Sequence, residues 1–202
     1  MRGLANAIKQ LRVFKDDQRG SVAIEAVILV PILIWAYLAM FTIFDSFRQY
    51  TAQQKAAYTI SDLISRQWNP LDAAFIDGVH DLFENLSRSP QETGLRVTIA
   101  KYDLNLQEYQ VVWSRTRGGM IGLQSQDIAD WTHRLPVMPQ DDQIIIVETS
   151  SAFVPVFNIG LSNQTINNFV FTRPRYTKQV CFDEVCDLPG PPPPVATGDE
   201  QA

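Results

Sequence analysis

Hydrophobic positions are spread very unevenly along this chain. From Ala26 to Phe44 no residue is charged, and eleven are Leu, Ile, Val or Phe. A helix over residues 22 to 44, rising about 1.5 Å per residue, reaches about 35 Å, enough to cross a bilayer. The run is too long for the apolar part of a secretory signal, and no clear A-x-A site follows it. Farther on, Phe47, Tyr50, Ala57, Ile60 and Ile64 recur at intervals of three, four or seven. This spacing predicts that the helix continues to about Gln67, with Gln53 and Gln54 weakening the stripe. Asn69-Pro70 then ends it, because a residue before proline disfavours the α conformation.

The remaining pattern predicts a small domain. Leu71, Phe75, Val79, Leu82, Phe83 and Leu86 share one face of a second helix over Leu71 to Leu86. Ser87 to Gly94 reads as a turn, Leu95–Ala100 and Tyr109–Trp113 as a hairpin, and Gly118-Gly119 as its close. A short helix from Ser125 to Leu135 follows, and the run Ile144–Thr149 is apolar enough to be a central strand buried on both sides. Phe169 to Val180 supplies one or two further strands. Together these predict an α+β protein in which a long hydrophobic helix carries a small antiparallel sheet with helices packed on one face. The segments are a leader (1–20), the hydrophobic helix and its extension (21–68), the α+β domain (69–188) and a proline-rich tail (189–202). With Pro191 to Pro194 and little apolar surface, the tail is expected to be disordered, or to serve as an extended ligand.

Charge orients the helix. Arg2, Lys9, Arg12, Lys15 and Arg19 precede the span, whereas only Arg48 and Lys55 follow closely. The positive-inside rule places the N-terminus in the cytoplasm and the chain after Phe44 outside. Leu4, Ala7, Ile8, Leu11 and Phe14 lie at helical spacing among those basic residues, which suits an interfacial helix. The formal charge is −5, and the five basic and two acidic residues through Gly20 leave −8 from Ser21 onward. That balance argues against nucleic acid as a partner.

Glu25 is the one ionisable residue at the mouth of the run, where a charge is costly to bury and is a functional hypothesis by default. Each apolar residue of the run contributes roughly −0.3 to −0.6 kcal/mol to insertion, against about +2.5 to +3.5 for a central carboxylate, so insertion wins. The stretch Arg19-Gly20-Ser21-Val22-Ala23-Ile24-Glu25, with Pro31 six residues beyond the Glu, resembles the TadE-like minor pilins of the tight-adherence (Flp-type) pilus system over about residues 18 to 50. The resemblance implies a leader cut after Gly20 by a prepilin peptidase, Ser21 as the new N-terminus, and Glu25 as the acidic residue of the motif. It further implies a non-enzymatic protein of the bacterial inner membrane with a periplasmic domain. The partners implied are other pilins and pseudopilins, the prepilin peptidase, an inner-membrane assembly platform and the lipid bilayer. Pro31 lacks the amide that would bond the Val27 carbonyl, so a kink or loosened helix is expected there. A secretion-system pseudopilin shares the cleavage logic but usually lacks such a proline. The alternative of another class is an uncleaved, single-pass membrane anchor for a periplasmic binding or sensor module.

Cys181 and Cys186 are the only cysteines. In an oxidising compartment they form a disulfide that closes a tight loop, worth roughly 2 kcal/mol. No metal or cofactor is expected, since His80 and His133 show no ligand spacing and no nucleotide-binding or nucleophile motif occurs. His133 lacks a nucleophile or orienting acid, and Asp141-Asp142 reads as a loop. Trp35, Tyr37 and Trp68 suit membrane, interface or packing roles.

Overall fold

The computed structural model describes residues 20 to 157, 159 to 183 and 186. The expected leader helix over residues 1 to 15 and the proline-rich tail from 189 lie outside the described residues. The elements are α1 (Gly20–Ser65), α2 (Ala73–Ser87), β1 (Thr93–Asp103), β2 (Glu108–Arg117), α3 (Ser125–Ile128), a 3₁₀ turn (Trp131–His133), β3 (Gln143–Phe153) and β4 (Gln164–Thr172). The chain forms two compact units. One holds α1 as far as Asp45 with the loop Pro155–Leu161; the other holds Ser46–Val154 and the chain from Ser162.

In the first unit α1 is helical without interruption through Pro31. Every side chain from Val22 to Tyr37 is exposed, and the helix is long and apolar enough to cross a membrane. Thr42, farther along, donates its hydroxyl to the Leu38 carbonyl at 2.9 Å, so this polar group is satisfied within the helix.

The second unit is an antiparallel four-stranded sheet in the order β2-β1-β3-β4. Strand alternation sends Leu95, Val97, Ile99, Ile145 and Val147 to one face, where they meet Ala56, Ile60 and Ile64 of α1 and Ile76, Val79 and Phe83 of α2. The opposite face is covered as well: Ile128, Leu135 and Met138 close over Ala100, Tyr102, Tyr109, Ile144 and Ile146. Ile144 through Val147 are therefore fully buried, as expected of a central two-sided strand. Each such side chain contributes roughly 1.5–3 kcal/mol. The long helices do lie on one face, and the second cover comes from the segment expected as one helix from Ser125 to Leu135. That segment is broken into α3 and the 3₁₀ turn.

Local chemistry explains the boundaries that differ from expectation. The α2 helix begins at Ala73, since the Asp72 carboxylate caps it by accepting the Phe75 amide at 2.7 Å. Leu71 is left outside the helix and forms a parallel bridge with Phe182. Between β1 and β2, Ile99 faces Trp113 while Ala100 faces Val111, so Val112 is an extra, bulged residue. The bulge lets Val112 and Trp113 both pack on the helix-covered face. Strand β4 starts five residues earlier than the expected Phe169 and ends at Thr172.

The chain after β4, expected as strand to Val180, is instead a strap. Its Arg175 amide donates to the Ser65 carbonyl, the Leu71 amide to the Cys181 carbonyl, and the Asp183 amide to the Leu71 carbonyl. Trp113 Nε1 donates to the Val180 carbonyl at 2.8 Å, and the Val180 amide donates to Gln143 Oε1 at 2.9 Å. Phe182 then stacks between Trp113 and the Arg115 guanidinium.

Gly118 ends β2 at φ +65°, and a Cβ there would lie 1.8 Å from the Thr93 carbonyl oxygen, whereas at Gly119 (φ +75°) a Cβ meets nothing within 4 Å. Gly118→Ala should lower stability by about 2–4 kcal/mol through backbone displacement, and Gly119→Ala by only about 1 kcal/mol of conformational strain. Chemical denaturation followed by circular dichroism separates the two; equal losses would show that the close approach at Gly118 is not limiting.

Candidate functional site

The α1 helix begins at Gly20, so residues 20 and 21 are backbone-ordered at the head of the apolar segment. Five residues on, Glu25 is exposed, as are all its neighbours from Val22 to Tyr37. No hydrogen bond or ion pair joins Glu25 to another described residue. Its neighbours on the same helical face, Val22, Ile28 and Leu29, are apolar and more than half exposed. A carboxylate on such a surface needs a cationic partner once water is removed.

Pro31 lies two turns along the same segment. Helical backbone persists on both sides of it. Trp35 and Tyr37 also project from this segment, exposed by 58% and 70%, which leaves them free for lipid or for another helix and assigns them to no core. Trp68, in the link after α1, is exposed too. At the far end of the segment Phe157 of the β3–β4 loop packs edge-on against Phe41, with ring centroids 5.9 Å apart. That contact went unread in the sequence, although Val154 to Leu161 is apolar except at Asn158 and Gly160 and no ionisable residue occurs between Glu148 and Arg173.

Cys181 and Cys186 are joined in a disulfide with Cα atoms 4.8 Å apart. Cys181 is buried at the end of the strap, one residue after Val180 receives the Trp113 indole bond. The bridge therefore closes a loop that is itself held to Leu71 through the Cys181 carbonyl and the Asp183 amide.

The other polar groups singled out in the sequence are structural. His80, Asp81 and Glu84 offer ligand atoms within 4.8 Å of one another. His80 Nε2 lies 3.1 Å from both the carbonyl oxygen and the hydroxyl of Thr93. Thr93 in turn donates to Glu84 at 3.0 Å, so His80 and Glu84 link α2 to the start of β1. His133 is an exposed residue of the 3₁₀ turn with Nδ1 2.9 Å from the Asp130 carbonyl. Asp142 pairs with Arg173, and Asp141 occupies a positive-φ turn position before β3. The Arg117 guanidinium bonded to Asp77 holds that carboxyl below its usual range, and burial pushes the Tyr109 phenol up. Both contacts are made within the domain, Tyr109 donating to the Pro136 carbonyl.

The chain matches no known family model, curated protein or solved structure. What the site offers chemically is an uncovered apolar helix with one carboxylate near its head.

Peptide mapping under non-reducing, alkylating conditions should recover Cys181 and Cys186 in one cross-linked peptide, and Cys186→Ser should cost about 2 kcal/mol of domain stability. Free thiols at both positions in freshly extracted protein would contradict the bond.

Proposed function

We propose that this chain is a non-enzymatic minor pilin or pseudopilin that helps assemble, initiate or cap a tight-adherence type pilus at the bacterial inner membrane. The observation that carries the reading is Glu25: a carboxylate without a partner among the described residues, near the start of a helix whose apolar surface is exposed from Val22 to Tyr37. An apolar surface of this size needs cover, first by lipid and then by similar helices. In this reading the leader remains in the cytoplasm until a prepilin peptidase cuts between Gly20 and Ser21, and the domain lies in the periplasm. The helix then leaves the bilayer to join a bundle of other pilins on an assembly platform. The new α-amino group of Ser21 on a neighbouring subunit neutralises Glu25, since a paired buried charge costs far less than a lone one. The freed Val27 carbonyl before Pro31 loosens the helix and eases that transfer.

Intact mass of protein taken from membranes containing the peptidase should show loss of residues 1 to 20. Retention of the leader would sink the pilin reading and favour an uncleaved anchor for a periplasmic binding or sensor module.

Glu25→Ala should leave insertion and cleavage in place, because insertion is easier without the charge. Its crosslinking to partner pilins should fall about tenfold or more, equivalent to ~1.4 kcal/mol or above. Unchanged association and piliation would remove Glu25 from the assembly contact.

A further inference from the structure

The link between β3 and β4 combines exposed apolar side chains with a complete lack of ionisable groups. Hairpin tips favour Gly, Asn, Asp and Ser. Beside Asn158, Gly160, Ser162 and Asn163, the β3–β4 tip carries Val154, Pro155, Val156, Phe157, Ile159 and Leu161. Val154 and Val156 are 45% and 67% exposed, so the sheet core does not account for them. Ionisable groups are absent from the entire stretch between Glu148 and Arg173.

The position of the tip along α1 gives its surroundings. Pro155–Leu161 belongs to the same compact unit as the apolar half of α1, and Phe157 packs on Phe41. Phe41 lies one helical turn before Asp45, the first charged residue after Glu25. The Phe157 ring is therefore level with the last apolar turn of the helix, inside its charged end. Backbone at that depth needs its own hydrogen bonds, and the Ile159 amide donates to the Phe157 carbonyl at 3.0 Å.

We propose that the β3–β4 tip is a second membrane-contact element, which inserts Val156 and Phe157 into the interfacial region of the leaflet where α1 emerges. Lipid is the occupant because the patch is continuous with the apolar surface of α1 and carries no charge or unpaired carboxylate that would specify a protein partner. The inference rests on the reading of α1 as a membrane span.

The test uses the full chain with its disulfide closed, reconstituted in vesicles of phosphatidylcholine and phosphatidylglycerol. An environment-sensitive fluorophore is placed by Val156→Cys, an exposed site whose replacement leaves the core untouched. Ile34→Cys reports the span, and Asn105→Cys on the β1–β2 turn is the water reference. At Val156 the emission should be blue-shifted relative to Asn105, lost to doxyl-labelled lipid and protected from aqueous iodide. A label at Val156 that iodide reaches as freely as at Asn105, while Ile34 is quenched by lipid, would overturn the tip proposal and leave the span standing. Protection from both quenchers would overturn it in favour of a protein contact, such as a second copy. Failure of lipid to quench Ile34 would remove the span and the tip proposal together.

Discussion

One helix has to satisfy two different demands, and most of this protein follows from that constraint. The first part of α1 exposes apolar side chains that no described part of the chain covers from Val22 to Tyr37. The last part buries Ala56, Ile60 and Ile64 completely or nearly so against a sheet. Between them the buried stripe is polar: Thr42 satisfies itself on Leu38, whereas Gln53 is fully buried with neither amide atom bonded among the described residues. An unsatisfied buried group costs about 1–3 kcal/mol. The helix therefore spends stability at the join between its two apolar regions, and recovers it through Ile60 and Ile64.

The domain that receives α1 depends on β3. A strand with Ile144 to Val147 buried on both faces must be roofed twice, and the protein does so with unequal means. Two long helices cover one side, and a short α-helix, a 3₁₀ turn and Met138 cover the other. The strap after β4 then ties these parts together through main-chain bonds to Ser65 and Leu71, an indole bond from Trp113 and a carboxamide bond from Gln143. Its disulfide starts at Cys181 and encloses the last of those anchors, the Asp183 amide bonded to Leu71.

On the proposed reading, these two regions divide the labour of a pilus subunit. The apolar helix with Glu25 supplies the common element by which similar subunits associate, and the rigid, doubly covered sheet presents the surface that distinguishes this subunit from its siblings. An apolar β3–β4 tip would add a further hold on the bilayer before assembly, and one that must be released with the helix.

The sequence by itself determined the long helix, the hairpin, the central strand and the α+β class, because each rests on a local pattern: an uncharged run, alternation, or a dense β-branched segment. The cysteine pair was legible for the same reason, since spacing along the chain was enough to single it out. Tertiary structure alone decided the rest. Whether residues 173 to 183 pair as a strand or run as a strap depends on Ser65, Leu71, Gln143 and Trp113, which are distant in sequence. The break between α3 and the 3₁₀ turn depends on which residues close over Tyr109 and Ile146. The contact of Phe157 with Phe41 joins segments more than a hundred residues apart, and no periodicity in either one encodes the other. Local pattern specifies how a segment is folded, but the partner that buries it is chosen by the packing of the whole chain.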